Sequence, residues 1–451
     1  MKKMKRALAL GLAMSLAVSS LAGCGGSSAS ESASEAAGAS TGEAASAGDE
    51  QVTLTFWSWL PTTIQWEEMV VAFEEQYPNI KIDYTRTEQD DFTEKLQVVM
   101  ASGTGPDLFG LSTGTMATQY APFVADMSEL ADQYMPGWQD VISSTAVEQC
   151  KVDDTLVGMP LLVAGMTDLL YNQTILEECG ITEIPRTYEE LKADAELIKA
   201  KGYIPVAVGA ADDWINSDVF VQVSNQFEEG AVYEAEAGER SFTDQCFVDT
   251  MTAWQKLFTD GIFEEGALGV NSYPDARDQY FFNRKAAFFL TGSWHLGPIS
   301  PSNTEIQGTE IANQGDVIGM CVLPSLSPSG TLCGTAGVDT MIAVNKDCKN
   351  AEAAMKFVEF MANGTGQQIY VDYLQGAPVS NEITYQGEVD GKLQQQSIDE
   401  VNSYVSNAVG NRKLQNSELE TAIVVAMQNV AAGSDPATEL QTVQEVAESL
   451  R

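Results

Sequence analysis

The sequence predicts an α/β fold of two lobes that face each other across a cleft. Three observations carry this. Residues 54–111 run through strand and helix patterns in the order β-α-β-α-β, which argues for a parallel sheet covered by helices. A similar pattern restarts near Asp168 and continues to Leu290. About 400 residues follow a low-complexity N-terminal stretch, enough for two lobes of ordinary domain size.

The chain opens with Lys2, Lys3, Lys5 and Arg6, an apolar run from Ala7 to Leu21, and then Leu21-Ala22-Gly23-Cys24. A run of about 15 apolar and small residues suits a signal-peptide core and falls short of the roughly 20 that span a bilayer. This stretch resembles the bacterial lipoprotein signal. The resemblance implies removal of residues 1–23 and lipid on Cys24. Two or more acyl chains anchor stably where one holds only marginally, so the protein is expected on the outer face of the cell membrane. Residues 25–50 carry no aromatic or branched aliphatic side chain. Such a segment buries too little to order its backbone, so residues 24–50 read as a flexible tether.

Leu54–Trp57 reads as a buried strand. Glu67–Gln76 then carries Met69, Val70 and Phe73 at helical spacing and ends near Pro78. Ile80–Tyr84 alternates as a second strand, Phe92–Ser102 is an amphipathic helix, and Asp107–Leu111 is a third strand. In the second unit Asp168–Tyr171 and Pro205–Val208 are strands. Tyr188–Lys201 is a helix with Leu191, Ala195 and Ile198 on one face and Thr187 as its N-cap. Phe247–Asp260 and the strand Ala286–Leu290 complete it. Ligands of such sheets sit at the carboxyl ends of the strands, where two facing lobes leave a cleft.

Composition excludes some partners. The chain has 24 Lys and Arg against 64 Asp and Glu, a net charge of −40. A surface so acidic repels nucleic acid and has no basic patch for a phosphate backbone. No later stretch is long and uncharged enough to span a membrane. Six cysteines follow Cys24, with no CxxC pair to suggest a zinc ribbon or a thioredoxin-like site. Cys321 and Cys333 flank a Pro/Ser/Gly turn, and a bridge there and buried free thiols are both open.

Several segments resemble the extracellular solute-binding proteins of ABC importers, particularly the carbohydrate-binding group that includes maltose-binding protein. They are FWSW near the start, GTGPDLF at 103–109, LLYNQTILEECGI at 169–181, IPRTYEELKADAELIKAKG at 184–202, AAFFLTGSW at 286–294, VLPSLSPSG at 322–330 and NAEAAMKFVEFM at 350–361. Each is loose, but together they span nearly the whole mature chain in the expected order. The resemblance implies a periplasmic-binding-protein-like fold, α/β and two-lobed, with three crossings near 163–165, 319–322 and 376–378. Lobe one is then 51–163 plus 321–376, and lobe two is 164–320 plus 377–451. It further implies capture of a sugar or oligosaccharide by closure of the hinged lobes, delivery to the ABC permease subunits, a monomer, and no enzymatic activity.

A sugar presents apolar C–H faces and a rim of hydroxyls, so indole rings and carboxylates or amides suit it. Trp59 follows the first strand, with Trp57 expected to fill an inward position. Ser112, Thr113 and Gly114 follow the PDLF strand, where the family places ligand contacts. Many relatives carry an aromatic or an acid there, and this chain has neither. Asp212, Asp213 and Trp214 follow the Pro205–Val208 strand, an acid pair beside an indole. Trp294, in the Gly-x-Trp position that lines the cleft in the family, is the strongest candidate, with His295 beside it. Asp339 lies where lobe one returns toward the cleft. Met166 sits at the first crossing next to Gly165, where relatives often have an acid.

One other ligand class and two chemistries fit parts of the sequence. A polyamine or other small cation also suits Trp and Asp. Gly110-Leu111-Ser112-Thr113-Gly114 matches GxSxG after a strand, and the lone histidine, His295, lies downstream, as a serine hydrolase needs. The HGGG oxyanion motif is absent. Two carboxylates would serve a glycosidase. One histidine and no close cysteine pair offer few soft metal ligands, and without a P-loop or GxGxxG no cofactor is expected.

Overall fold

A computed structural model describes residues 51–299, 306–387, 389 and 391–451. The signal segment, Cys24 and the tether lie outside the described residues. The first unit is built as its pattern predicts. Leu54, Phe56 and Ser58 form the inward face of β1 (Val52–Ser58), because alternate side chains of a strand share a face. Trp57, expected to point inward, is only half-buried on the opposite face. Helix Thr63–Gln76 starts on a capping box between Thr62 and Gln65 and returns the chain to β2 (Ile80–Arg86). Helix Gln89–Ala101 leads to β3 (Leu108–Leu111), and both strands lie parallel to β1.

A small hairpin, β4 (Lys151–Val152) with β5 (Thr155–Leu156), precedes β6 (Met159–Asn172). The expected strand Asp168–Tyr171 is thus the end of a strand of 14 residues. Then come β7 (Ile204–Ala207), β8 (Ala286–Gly292), β9 (Ile318–Val322), β10 (Thr335–Val344) and β11 (Ala377–Pro378). The sheet runs β2-β1-β3-β10-β6-β8-β7, with β9 and β11 also pairing β6. It is not the wholly parallel sheet expected. β10 is antiparallel to β3 and to β6, and β6 is antiparallel to β8 and β9. The chain comes back through β10 after completing the second unit, and a returning strand inserted between β3 and β6 runs against both.

β6 belongs to both halves of the molecule. Its start, Met159–Met166, pairs β10, and its end, Asp168–Asn172, pairs β9. One hydrophobic core gathers Leu54, Phe56, Leu108, Leu161, Met341 and Phe357. Two others cover the faces of the second half, where Leu169 and Phe288 point to one side and Leu170 and Phe289 to the other. Ile318, Met320, Cys321 and Leu323 pack in the second half, and the boundary expected at 320/321 falls inside β9. The six cysteines among the described residues are free, so Cys321 and Cys333 are not bridged. No helix among the described residues is long and apolar enough to cross a membrane.

Candidate functional site

The carboxyl ends of β1, β7 and β8 lead into one cleft. Trp59 follows β1, Asp212 and Trp214 follow β7, and Trp294 and His295 follow β8. With the solvent at its mouth counted, the cleft holds about 980 Å³, at the upper end of the roughly 300–1,000 Å³ of small-molecule sites.

Aromatic rings make one wall. Trp214 and Tyr273 lie parallel, 6.3 Å apart and inclined by 11°. Trp294 meets Trp214 edge-on at 5.7 Å, and its indole N–H donates to the Tyr273 hydroxyl at 3.0 Å. That bond fixes the ring, since a half-buried indole N–H needs an acceptor. His295 lies 3% exposed behind this wall. Its Nδ1 is 2.6 Å from the Thr291 hydroxyl. Burial, helped by the Arg277 charge, holds its pKa well below the ordinary histidine value, so it is a neutral imidazole. Asp212 supports the wall from beneath: its carboxylate accepts from Asn271 Nδ2 at 2.5 Å and from the Ser272 backbone N–H at 2.7 Å. This ties the Trp214 helix to the segment that carries Tyr273.

The facing wall is built around the ends of β1 and β2. Trp59 packs on Phe92 at 5.4 Å and is joined by Leu60, Thr62, Arg86 and Gln375. Arg86 is paired with Glu88 at 2.8 Å.

Charged groups close one end. Arg412 Nη1 lies 3.1 Å from Asp339 Oδ1, and its Nη2 lies 3.5 Å from Asp218 Oδ2. Lys413 Nζ is 3.2 Å from Asp218 Oδ1. Asp218 is wholly buried, and burial raises its carboxyl pKa against the pull of the two cations. Arg277 lies over the Tyr273 ring at 4.7 Å.

Of the residues expected at the site, Trp59, Asp212, Trp214, Trp294, His295 and Asp339 line this cleft. Ser112, Thr113, Gly114 and Asp213 do not. Thr113 donates to the Val338 carbonyl at 3.2 Å, and Ser112 donates to the Met116 sulfur at 3.5 Å. Gly114, at φ +73°, packs so tightly that a Cβ would lie 2.5 Å from the Leu414 carbonyl oxygen. These residues serve contact between chain segments. Asp213 is exposed in the first turn of its helix. The backbone of Met166 pairs with Gly292 in the sheet. Of the Ser112–His295 pair of a hydrolase, His295 lines the cleft and Ser112 does not, and each has another hydrogen-bond partner, Ser112 to Met116 and His295 to Thr291.

Sequence reasoning missed Tyr273, Arg277, Arg412 and Lys413. Tyr273, itself in extended backbone, and Arg277 lie in the helix Ser272–Phe281, whose residues SYPDARDQYF show no apolar face at helical spacing. Arg412 and Lys413 lie in the polar segment NAVGNRKLQN, between helices Lys392–Ser406 and Ser417–Ala431. The one available signal was two adjacent cations in a chain of net charge −40.

The multiple sugar-binding protein of Streptococcus mutans is 24% identical over 350 residues, covering 75% of this chain and 77% of that protein. Among solved structures, an ABC substrate-binding protein from Listeria monocytogenes in complex with cycloalternan has the same fold. Its TM-score is 0.73 at 19% identity, over 89% of this chain and 99% of that chain. Maltose-bound T. maritima MalE3 matches with a TM-score of 0.72 at 19% identity, over 89% of this chain and all of that chain. The sequence profile of the bacterial extracellular solute-binding proteins matches residues 61–368, two thirds of the chain, and the protein belongs to that family.

Proposed function

We propose that this protein is the substrate-binding subunit of an ABC importer, that it captures a sugar or oligosaccharide between its lobes, and that it hands the sugar to the membrane permease without altering it. The observation that carries the reading is the set of Trp214, Tyr273 and Trp294 rings facing Trp59 across one cleft. Indole and phenol rings suit the apolar faces of pyranoses, and the polar groups around them suit hydroxyls. The names of the S. mutans relative and of the T. maritima structure, both sugar-bound or sugar-binding, agree with it.

In this reading β6 and the segments beside it carry the hinge, and ligand closes the lobes by bridging both walls. Closure is stabilised only as far as the sugar binds the closed form better than the open one. Lipid on Cys24 holds the protein at the membrane surface, a role supported by the Leu21-Ala22-Gly23-Cys24 sequence. Four basic residues line the cleft, Arg86, Arg277, Arg412 and Lys413, against three acids, Glu88, Asp212 and Asp339, so the lining has no excess of negative charge to favour a polyamine.

A thermal-shift screen of mono- and oligosaccharides against polyamines tests the proposal, since a ligand that binds only the native state raises Tm. Sugars should raise it and leave unchanged in composition. A shift with polyamines alone, or release of reducing ends from a bound glycan, would overturn it.

A further inference from the structure

Resting on the sugar reading, we propose that the ligand is an acidic sugar, a ring bearing a carboxylate that Arg412 receives at the end of the aromatic wall. Four of the chain's 24 Lys and Arg residues meet at this cleft, in a protein of net charge −40. The ion-paired Lys and Arg side chains described outside the cleft are 19% exposed or more. Here the Arg412 side chain is 6% exposed and that of Lys413 is 11% exposed.

A buried guanidinium is stable only when its N–H groups find acceptors. Asp218 lies behind Arg412 and Lys413 and is shared between them, and Asp339 takes one edge of Arg412. The Nε–H of Arg412 has no hydrogen-bond acceptor among the described residues. The same holds for the Nε–H of Arg86 on the opposite wall. Both Nε atoms are buried just beneath the cleft surface, and so is Nη1 of Arg412, so the unsatisfied groups of the cleft-lining side chains are guanidinium donors, beside the carboxylates of Glu88, Asp212 and Asp339.

Position chooses the acceptor. The Arg412 guanidinium lies over the Trp294 ring, 5.0 Å from its centroid. Arg412 thus stands at the Trp294 end of the aromatic wall. A ligand carboxylate at this end meets the guanidinium as an opposite charge and a strong acceptor, sharing it with Asp339 and Asp218, which a neutral hydroxyl does not do. Asp212 does not compete for the guanidinium, because its oxygens are already held by Asn271 and Ser272.

The test is isothermal titration of the purified protein with mono- to tetrasaccharides of glucuronate, galacturonate and mannuronate, each beside its methyl ester and the neutral hexose oligomer. One acid should bind at least tenfold tighter than its methyl ester, with the advantage shrinking as salt rises. Arg412→Lys, which keeps the charge and loses the guanidinium, should reduce that ratio. Arg412→Gln with Asp218→Asn, which removes both buried charges together, should bring it near one while circular dichroism stays native. Equal or tighter binding of a neutral sugar overturns this inference and leaves the sugar reading standing. Binding of polyamines with no carbohydrate response removes both.

Discussion

The guanidinium of Arg412 lies over the indole of Trp294, 5.0 Å from the ring centroid, and the same guanidinium reaches Asp339 at 3.1 Å. Trp294 follows β8 and Asp339 lies in β10, so one side chain touches residues from the two halves of the sheet. The aromatic wall is thereby positioned by contacts that are far apart in the chain, which makes it open to test by small changes at a distance from any ligand.

Gly292 is the first such change. A Cβ there would sit 2.3 Å from the Trp294 ring and 2.7 Å from the Gly165 carbonyl oxygen. Gly292→Ala should push the indole off its Tyr273 bond and weaken sugar binding about tenfold. Overpacking of this kind costs about 1–3 kcal/mol of stability, so the protein should still fold. Calorimetric titration of variant and parent with the best sugar checks it. Unchanged affinity would mean that Trp294 does not touch the ligand.

Trp59 is both wall and core, only 8% exposed and packed on Phe92. Trp59→Ala should lower stability by about 3–5 kcal/mol, the range for large aromatic truncations. Trp59→Phe should keep most of the stability and still reduce affinity, because the ring facing the cleft is smaller. Urea unfolding and titration on the pair separate the two roles. A Phe variant with parental affinity would confine Trp59 to packing.

Glu264 gives a pH dependence of known sign. It is 8% exposed and accepts from the Val208 N–H just after β7. Burial raises its pKa from 4.5 to about 7, against the lowering effect of backbone hydrogen bonds. The folded state therefore binds a proton more tightly than the unfolded chain. Its contribution to stability is fully present below pH 4.5 and is lost as pH rises to about 7. The loss is about 1.4 kcal/mol per pH unit over that window, roughly 3 kcal/mol in all. Glu264→Gln should be less stable relative to the parent at pH 4.5 than at pH 8, where it should gain. Parallel stability curves from pH 4 to 8 would show that Glu264 is not buried as described.

The thiols test the core directly. Cys150, Cys179, Cys246, Cys321 and Cys333 are buried and Cys348 is half-buried, all unpaired. Burial pushes each thiol above its ordinary pKa, and the thiolate is the reactive form. Ellman's reagent should react slowly with native protein at pH 8, Cys348 first. In guanidinium, protein whose Cys24 is lipidated or removed should then titrate six thiols without prior reduction. Four thiols under those conditions would mean a disulfide.

The local order of the first unit was legible because each step is encoded nearby. The alternation of Leu54 and Phe56 and the capping residues Thr62 and Thr187 specify β1 and the starts of two helices through contacts only a few residues apart. Trp59, Trp214 and Trp294 were found for a similar reason: they follow strands, and strand ends are readable. Tyr273, Arg277, Arg412 and Lys413 were not, since neither the helix Ser272–Phe281 nor the segment 407–416 has an apolar period, and such segments acquire a position only from what they pack against.

By itself, then, the sequence determined that there are two α/β halves, where most strands begin and end, and that indoles stand at several strand ends. Tertiary structure alone decided that β10 returns antiparallel between β3 and β6, that Ser112 and Thr113 are turned to structural contacts, and that Arg412 reaches Trp294 and Asp339. The physical reason is range. Propensity and periodicity act over a few residues, whereas strand order and the meeting of Arg412 with Trp294, more than a hundred residues earlier, depend on how separate segments bury their surfaces together.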